Sequence, residues 1–256
     1  IIAPDDSEIV RDGSEVRRKW IDIVISQYDR PYLEALVDYN KSIVQRNNLF
    51  KYFAENRIYD ADMIEPWDVR IAPLAVKIAN ERRKFITTFL PVFDRTYKDL
   101  SGGAEEVSME YKSNVTGDVK DFLEVLNTSR ENDRRLRRTT CGIHRDDLVF
   151  KIGEHPMKKF GSQGQQKTFL VALRLAQLEF LENTTGIKPI LLLDDIFDKI
   201  DDKRAEALMK RVTDGSFGQV FITDTHMGRI PEMFKSTGAE VRVFEVSNGE
   251  VNILES

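Results

Sequence analysis

The stretch Pro189-Ile190-Leu191-Leu192-Leu193-Asp194-Asp195 ends an apolar run in two acids. Continuous apolar residues read as a strand buried on both faces. Carboxylates that follow such a strand lie at the C-terminal edge of a sheet, where open α/β sheets bind their ligands. A carboxylate there could hold Mg2+, usually through water, while a second polarises an attacking water. The same residues also fit a buried strand whose exit loop carries two solvated acids. A second stretch, Phe160-Gly161-Ser162-Gln163-Gly164-Gln165-Gln166-Lys167-Thr168, leads directly into a helix-periodic run. Its glycines let backbone pass close to an anion, and the helix N-terminus offers free N–H groups and a positive dipole end. Ser162 can cap that helix and touch a phosphate oxygen. A polar loop with a good N-cap would look the same and needs no ligand.

The pair says more than either member. A signature-like loop, a helix and a strand ending in two acids resembles the order found in ABC-type ATPases. Ile196-Phe197-Asp198-Lys199-Ile200-Asp201 then resembles the D-loop, with Asp201 at its aspartate. Gln219 to Thr223, followed by Asp224-Thr225-His226, resembles the last core strand and the switch histidine, a γ-phosphate sensor. The spacing of His226 from the strand is looser than the common ABC pattern, and an ordinary loop histidine is the alternative.

Four stretches resemble the RecF family: Arg17-Arg18-Lys19-Trp20-Ile21-Asp22, Tyr39 to Asn47, Gly142-Ile143-His144-Arg145-Asp146-Asp147-Leu148, and Gly161 to Thr168. The family usually has Pro where Ile143 stands. The resemblance implies an ATP-dependent head that dimerises with two ATPs between its subunits, so that Ser162, Gln163, Gly164, Gln165 and Gln166 contact ATP in trans. It implies that Asp194 positions Mg2+ and that Asp195 occupies the place of the catalytic acid. That acid is Glu in transporter-type members; Asp is one methylene shorter, so slow hydrolysis that times a clamp is expected. The implied partners are single-stranded and double-stranded DNA, the RecR and RecO mediators and a second copy of the chain. The implied role is helping to load recombinase at gaps, in the cytoplasm. No Gly-x-x-x-x-Gly-Lys-Ser/Thr occurs in the 256 residues, and the chain starts on Ile1. In RecF that loop lies ahead of the helical lobe. The chain therefore reads as a C-terminal part, expected by itself neither to bind ATP tightly nor to hydrolyse it.

These motifs need elements to hold them. Residues 1–138 read as a mainly helical lobe. Ser14 suits an N-cap before Trp20, Ile21, Val24 and Ile25 at helical spacing. Pro31 suits the first turn of a second helix, with Leu33, Leu36, Val37, Asn40, Ile43, Val44 and Leu49 on one side. Pro66-Trp67 opens a third, which must absorb Pro73 as a kink or a new first turn. Ser101 to Ala104 is a turn, Val107-Met109-Tyr111 a half-buried strand, and Val119 to Arg138 a helix. Residues 139–256 read as the C-terminal part of the head, an α/β architecture with a P-loop NTPase fold. Its strands lie at Leu148–Ile152, Pro189–Leu193, Gln219–Thr223, Val241–Val246 and Val251–Leu254, the last two joined by an Asn248-Gly249 turn. Its helices lie within Gly161–Leu181 and at Lys203–Val212.

Arg130, Arg134, Arg135, Arg137 and Arg138 end the helix before residue 139. They could form a DNA-phosphate patch, or a solvated face paired with Glu131 and Asp133. His144-Arg145-Asp146-Asp147 reads as a hydrogen-bonded junction between the lobes, because no second histidine lies at ligand spacing. Glu154-His155-Pro156 reads as a turn. A net charge of −5 argues against a chain that is basic over its whole surface, though not against a local basic patch. The single cysteine, Cys141, points to a reducing compartment. No apolar run approaches the roughly 20 residues that span a bilayer. Two other readings fit less of the chain: another SMC-like head, of the RecN or nuclease-associated kind, and a non-catalytic DNA- or protein-binding module of ATPase-like shape. No sustained heptad run supports the first, and the paired acids argue against the second.

Overall fold

The computed structural model describes residues 1–3, 8–103, 105–197, 200–226, 229–234, 240–247 and 249–254, without the side chains of Arg229 and Met233. In chain order the elements are α1 (Glu8–Arg11), α2 (Ser14–Ser26), α3 (Arg30–Asn56), α4 (Glu65–Ser101), β1 (Val107–Lys112), α5 (Val119–Leu136), β2 (Asp147–Ile152), β3 (His155–Pro156), α6 (Met157–Phe160), α7 (Gln163–Thr185), β4 (Ile190–Asp194), α8 (Asp202–Thr213), β5 (Gln219–Thr223), α9 (Arg229–Phe234), β6 (Val243–Ser247) and β7 (Glu250–Leu254).

The chain divides into two compact units. Unit 1 comprises Ile1–Ser7, Val92–Glu106 and Lys159–Ser256; unit 2 comprises Glu8–Pro91 and Val107–Lys158. A single boundary at residue 138 is not where the chain separates, because β2 pairs antiparallel with β1 from Val107↔Ile152 to Lys112↔Asp147 and so joins the helices that precede it.

Unit 2 is built on α2, α3, α5 and α4 as far as Pro91. The buried face of α2 is Trp20, Ile21, Val24 and Ile25, as its spacing predicts. Trp20 meets Phe85 and Phe89 of α4 edge-on, at 5.9 and 5.6 Å. The N-cap of α2 is Gly13, with no side-chain bond, and not Ser14, whose hydroxyl instead accepts from Arg18. Asp29 caps α3 by accepting from the Tyr32 N–H at 2.8 Å, and Pro31 sits in the first turn.

The face that α3 buries differs from the expected one. Tyr32, Ala35, Tyr39, Ser42, Ile43, Arg46, Phe50 and Phe53 point inward, whereas Leu33, Val37 and Val44 are exposed. Arg46 can sit on the inner face because two carboxylates come to it: Asp68 and Asp133, each at 2.6 Å, with Thr139 at 2.9 Å. α4 runs unbroken through Pro73 and also Pro91.

The His144–Asp147 segment, expected to be a hydrogen-bonded junction, belongs to unit 2. It is tied inside unit 2, where Arg82 bonds Asp22, Asp146 and the Ile143 carbonyl, and Arg17 bonds Asp147 at 2.9 Å. Gly142 must be glycine: its φ is +122°, and a Cβ would lie 2.3 Å from the Tyr39 hydroxyl oxygen. The Glu154-His155-Pro156 turn is tighter than expected, because β3 pairs back onto β2.

Unit 1 holds a parallel pair, β4 with β5, registered from Ile190↔Gln219 to Asp194↔Thr223. Ile2 bridges to Leu193 on the other edge of β4. Helix α7 packs Phe169 against Phe93 and Tyr97 from the end of α4, with ring centroids 4.8 and 6.1 Å apart. Two strand expectations change. Burial along β4 alternates, with Leu191 and Leu193 buried and Ile190 59% exposed, so one face alone is fully covered by described residues. β5, expected to be central, pairs among the described residues with β4 only, and Phe221 is exposed. β6 and β7 form a separate antiparallel hairpin. Its turn glycine, Gly249, has φ +83°, while Asn248 lies outside the described residues.

Candidate functional site

Because β4 and β5 are parallel and in register, their C-terminal ends open on one edge. The structure brings Asp194, Asp195, Thr223, Asp224 and His226 to that edge. Asp194 ends β4, is exposed, and accepts a hydrogen bond on Oδ1 from the Thr223 hydroxyl. Asp195 follows in the left-handed region at φ 46°, its N–H donating to the Thr223 carbonyl at 3.2 Å. Asp tolerates this conformation better than most residues, because its short polar side chain can bond locally. A non-glycine residue held there costs on the order of 1 kcal/mol, and such strain tends to collect at functional sites. Lys167, in α7, places Nζ 3.5 Å from the Asp195 carbonyl oxygen.

Beyond β5, the Asp224 carboxylate accepts from the His226 backbone N–H at 2.8 Å and lies 3.3 Å from its Nδ1. The imidazole is 74% exposed, while the Asp224 side chain is buried. One ring nitrogen is therefore steadied by a carboxylate. The other, Nε2, makes no hydrogen bond among the described residues and can meet an incoming oxygen.

The second expected cluster is the N-terminus of α7. Ser162 is its N-cap in a reciprocal capping box: Ser162 Oγ accepts from the Gln165 N–H at 3.2 Å, and Gln165 Oε1 accepts from the Ser162 N–H at 2.7 Å. This arrangement satisfies two donors that a helix start leaves orphaned. Ser162 and Gln163 are exposed, and Gly164 partly so. Gln166 turns back to the Gly161 carbonyl at 2.8 Å. Both ends of the Gln165 amide are engaged, since its Nε2 also donates to Glu105 at 3.0 Å.

Asp201 caps α8. It accepts from the Arg204 N–H at 3.0 Å and pairs with the Arg204 guanidinium at 3.3 Å. The rest of the D-loop-like stretch includes Asp198 and Lys199, which lie outside the described residues.

Among the described residues no group of three or more His, Cys, Asp or Glu side chains could hold a metal ion. Asp194 and Asp195 still fit Mg2+, which commonly takes one or two carboxylates and fills its octahedron with water and phosphate oxygens.

Unit 2 holds the basic helix end, and there the five arginines separate. Arg130 pairs with Asp68 at 2.8 Å. Arg134 lies over the Tyr59 ring at 4.8 Å and 4.0 Å from Glu131. Arg135 donates to Asn132. Arg137, the left-handed C-cap of α5, and Arg138 make no ion pair among the described residues. With Asn47, Lys51, Glu55 and Leu136 they line an open depression of about 500 Å3.

Three residues at the centre of these networks carry no sequence signal: Glu105, Arg46 and Arg82. Their partners lie up to about a hundred positions away, so no local spacing points to them.

No family model matches the chain. It is 45% identical over 246 residues to the DNA replication and repair protein RecF of Flavobacterium johnsoniae, covering 96% of this chain and 68% of that one. It is 41% identical over 255 residues to RecF of Bacteroides fragilis, covering 100% and 68%. Among solved structures, it matches the recombination mediator protein RecF-ATP in the RecFOR pathway with a TM-score of 0.82 at 27% identity, over 99% of this chain and 66% of that one. The RecF-ATPrS structure matches with a TM-score of 0.81 at 27% identity, over 99% and 67%. An Smc head domain from Pyrococcus furiosus, bound to the C-terminal domain of ScpA, matches with a TM-score of 0.50 at 15% identity, over 99% and 60%, which shows a shared head fold alone. Relatives this similar along nearly the whole chain displace the other SMC-like heads as a reading, and the chain belongs to the RecF family of DNA replication and repair proteins.

Proposed function

We propose that this chain is the C-terminal part of a RecF ATPase whose two copies close on each other around two molecules of ATP. It would act on DNA in the cytoplasm, with the RecR and RecO mediators as partners. The observation that carries this reading is the exposed, capped start of α7, where Ser162, Gln163 and Gly164 face solvent while Gln165 and Gln166 are spent on holding the turn. Ser162 Oγ accepts from Gln165, which leaves the hydroxyl proton to donate to a phosphate oxygen on the other copy. Asp194 would hold Mg2+, which supplies charge neutralisation of the phosphates when bound. Asp195 would orient the attacking water, and His226 Nε2 would meet the terminal phosphate. Asp201 would approach from the start of α8. With no phosphate-binding loop among the 256 residues, the chain by itself would neither bind ATP tightly nor turn it over.

For DNA, Arg137, Arg138 and Lys51, which make no ion pair among the described residues, are better placed than Arg134 and Arg135, whose side chains already have neighbours.

The test is sedimentation of the whole protein with and without MgATP, beside Ser162→Arg. A monomer that becomes a dimer with ATP, and a variant that stays monomeric while still melting cooperatively, is the expected result. If the variant dimerises as well as the parent, the loop is only a helix cap, and the non-catalytic binding module becomes the better account.

A further inference from the structure

One carboxylate joins the two segments proposed to reach the partner copy's nucleotide. Glu105 lies on the short connection between α4 and β1, with its side chain 16% exposed. Its Oε1 accepts from Gln165 Nε2 at 3.0 Å and from an Arg204 guanidinium nitrogen at 2.9 Å, and its Oε2 accepts from the Tyr97 hydroxyl. Partial burial alone would push this acid's pKa up. The bonds from Tyr97, Gln165 and Arg204 outweigh that and hold it below the usual range, so the group is a carboxylate at neutral pH.

Each partner continues the chain of bonds. Gln165 is the residue whose Oε1 receives the Ser162 N–H, so the orientation of its amide is fixed from both ends. Arg204 spends its fork on three groups: Glu105, the Thr168 hydroxyl of α7 at 3.0 Å, and Asp201 at 3.3 Å. The path thus runs Ser162–Gln165–Glu105–Arg204–Asp201, with Thr168 as a second strut. Partly buried charge-assisted bonds of this kind are stronger and more directional than neutral ones. They also account for glutamine at position 165. Glutamate would serve the capping box equally well, but it would set two carboxylates against each other.

We infer that Glu105 is a positioning residue that holds the α7 loop and the start of α8 as one rigid body, so that Ser162 and Asp201 reach the partner copy's nucleotide together. The inference rests on the trans contact proposed above. It assigns no contact with ATP to Glu105 itself.

The test uses the whole protein, with upstream residues present. For Glu105→Gln, Gln165→Glu and the double variant, three quantities are read: MgATP-driven dimerisation by sedimentation, ATP affinity of the monomer at concentrations too low for dimerisation, and the melting temperature. Each single change should weaken ATP-driven dimerisation on the order of tenfold, the scale of removing one charge-assisted bond. The monomer's ATP affinity should stay as in the parent, because the loop acts only across the interface. The double variant restores one carboxylate and one amide in exchanged places, and should lose less than the two single losses combined. Losses that simply combine would mean that the two side chains act independently, and the inference would be overturned. A Glu105→Gln protein that dimerises like the parent would also overturn it, while the failure of Ser162→Arg to dimerise would leave the trans contact standing. If Ser162→Arg dimerises normally too, the trans contact fails and takes this inference with it. A drop in monomer ATP affinity together with a lower melting temperature would mark a general folding defect and also count against the positioning role.

Discussion

His144 should make unit 2 lose stability on acidification, well above the range in which carboxylates titrate. Its Nδ1 lies 2.8 Å from the Tyr39 hydroxyl and its Nε2 3.1 Å from the Thr139 carbonyl. A carbonyl only accepts, so Nε2 carries the hydrogen and Nδ1 accepts from Tyr39. The ring is neutral and has no site for a second proton unless that hydroxyl turns away. Burial, reinforced by the charges of Arg145 and Arg18, brings the imidazole down to about 4, against the opposing pull of the Thr139 carbonyl. In the unfolded chain it titrates near ~6.5. The folded pKa is the lower of the two, so the contribution is complete above the unfolded value and drains away as pH falls toward the folded one. Each pH unit in that window is worth about 1.4 kcal/mol, or roughly 2 kcal/mol by pH 5. Both tryptophans, Trp20 and Trp67, lie in unit 2, so their fluorescence in urea reports that unit alone. His144→Gln should be less stable than the parent at pH 7.5, by on the order of 1 kcal/mol for an impaired hydrogen bond. The gap should close or invert by pH 5, since the carboxylates common to both proteins cancel in the comparison. Parallel stability profiles from pH 7.5 to 5 would refute the buried neutral tautomer.

Three further outcomes follow from the same geometry. Gly142→Ala meets both a φ of +122° and the Tyr39 hydroxyl, and should cost about 3 kcal/mol or more by urea unfolding; Gly103→Ala, at φ +76° with open space around it, should cost only about 1 kcal/mol. Arg46→Met leaves Asp133 buried without a cation, and should cost roughly 3–5 kcal/mol; a loss near zero would refute the pairing as a stabilising contact. Converting Arg137 and Arg138 to Gln in the whole protein should weaken DNA binding similarly across sequences and flatten the salt dependence by about one unit of log–log slope for each phosphate no longer neutralised, whereas an unchanged slope would place the DNA elsewhere.

What could be read in the sequence was whatever local periodicity or capping decides. Trp20, Ile21, Val24 and Ile25 declare the inner face of α2, Ser162 with Gln165 spells a capping box, and Asp194-Asp195 marks the end of a strand. The inner face of α3 could not be read that way. Ser42 and Arg46 look polar in any periodicity count, and Arg46 becomes a core residue only because Asp68 and Asp133 arrive from 22 and 87 positions away. Pro73 and Pro91 locally argue for breaks in α4. The helix continues through both: Ile71, Ala72 and Ala75 are buried around Pro73, and Phe85 and Phe89 on Trp20 and Phe93 on Phe169 pack on either side of Pro91. Propensity is a weak prior against such packing. Glu105 is the residue of the candidate site that sequence reasoning missed, since its three partners stand 8, 60 and 99 positions away.

The buried arginines of unit 2 and the strand edge of unit 1 treat charge in opposite ways. In unit 2 the buried arginines are enclosed by protein: Arg46 holds two acids and a hydroxyl, with only its Nη2 lacking a hydrogen-bond partner among the described residues, and Arg82 holds two acids and a carbonyl. Breaking such a network costs stability, but a group already surrounded by protein has little left to offer a ligand. At the edge of unit 1 the pattern reverses. Asp194 is exposed, Asp195 holds a left-handed backbone, and the His226 ring projects into solvent beside one buried carboxylate. Groups left open on a strained backbone remain available to a ligand. Glu105 has the enclosed character of the first set and the location of the second. Its bonds are nearly complete, so it cannot receive a ligand, yet they end on Ser162 through Gln165 and on Asp201 through Arg204. A closed network that terminates on open residues is suited to transmitting position, which is the role inferred for Glu105, while Asp195 keeps its proposed place as the catalytic acid.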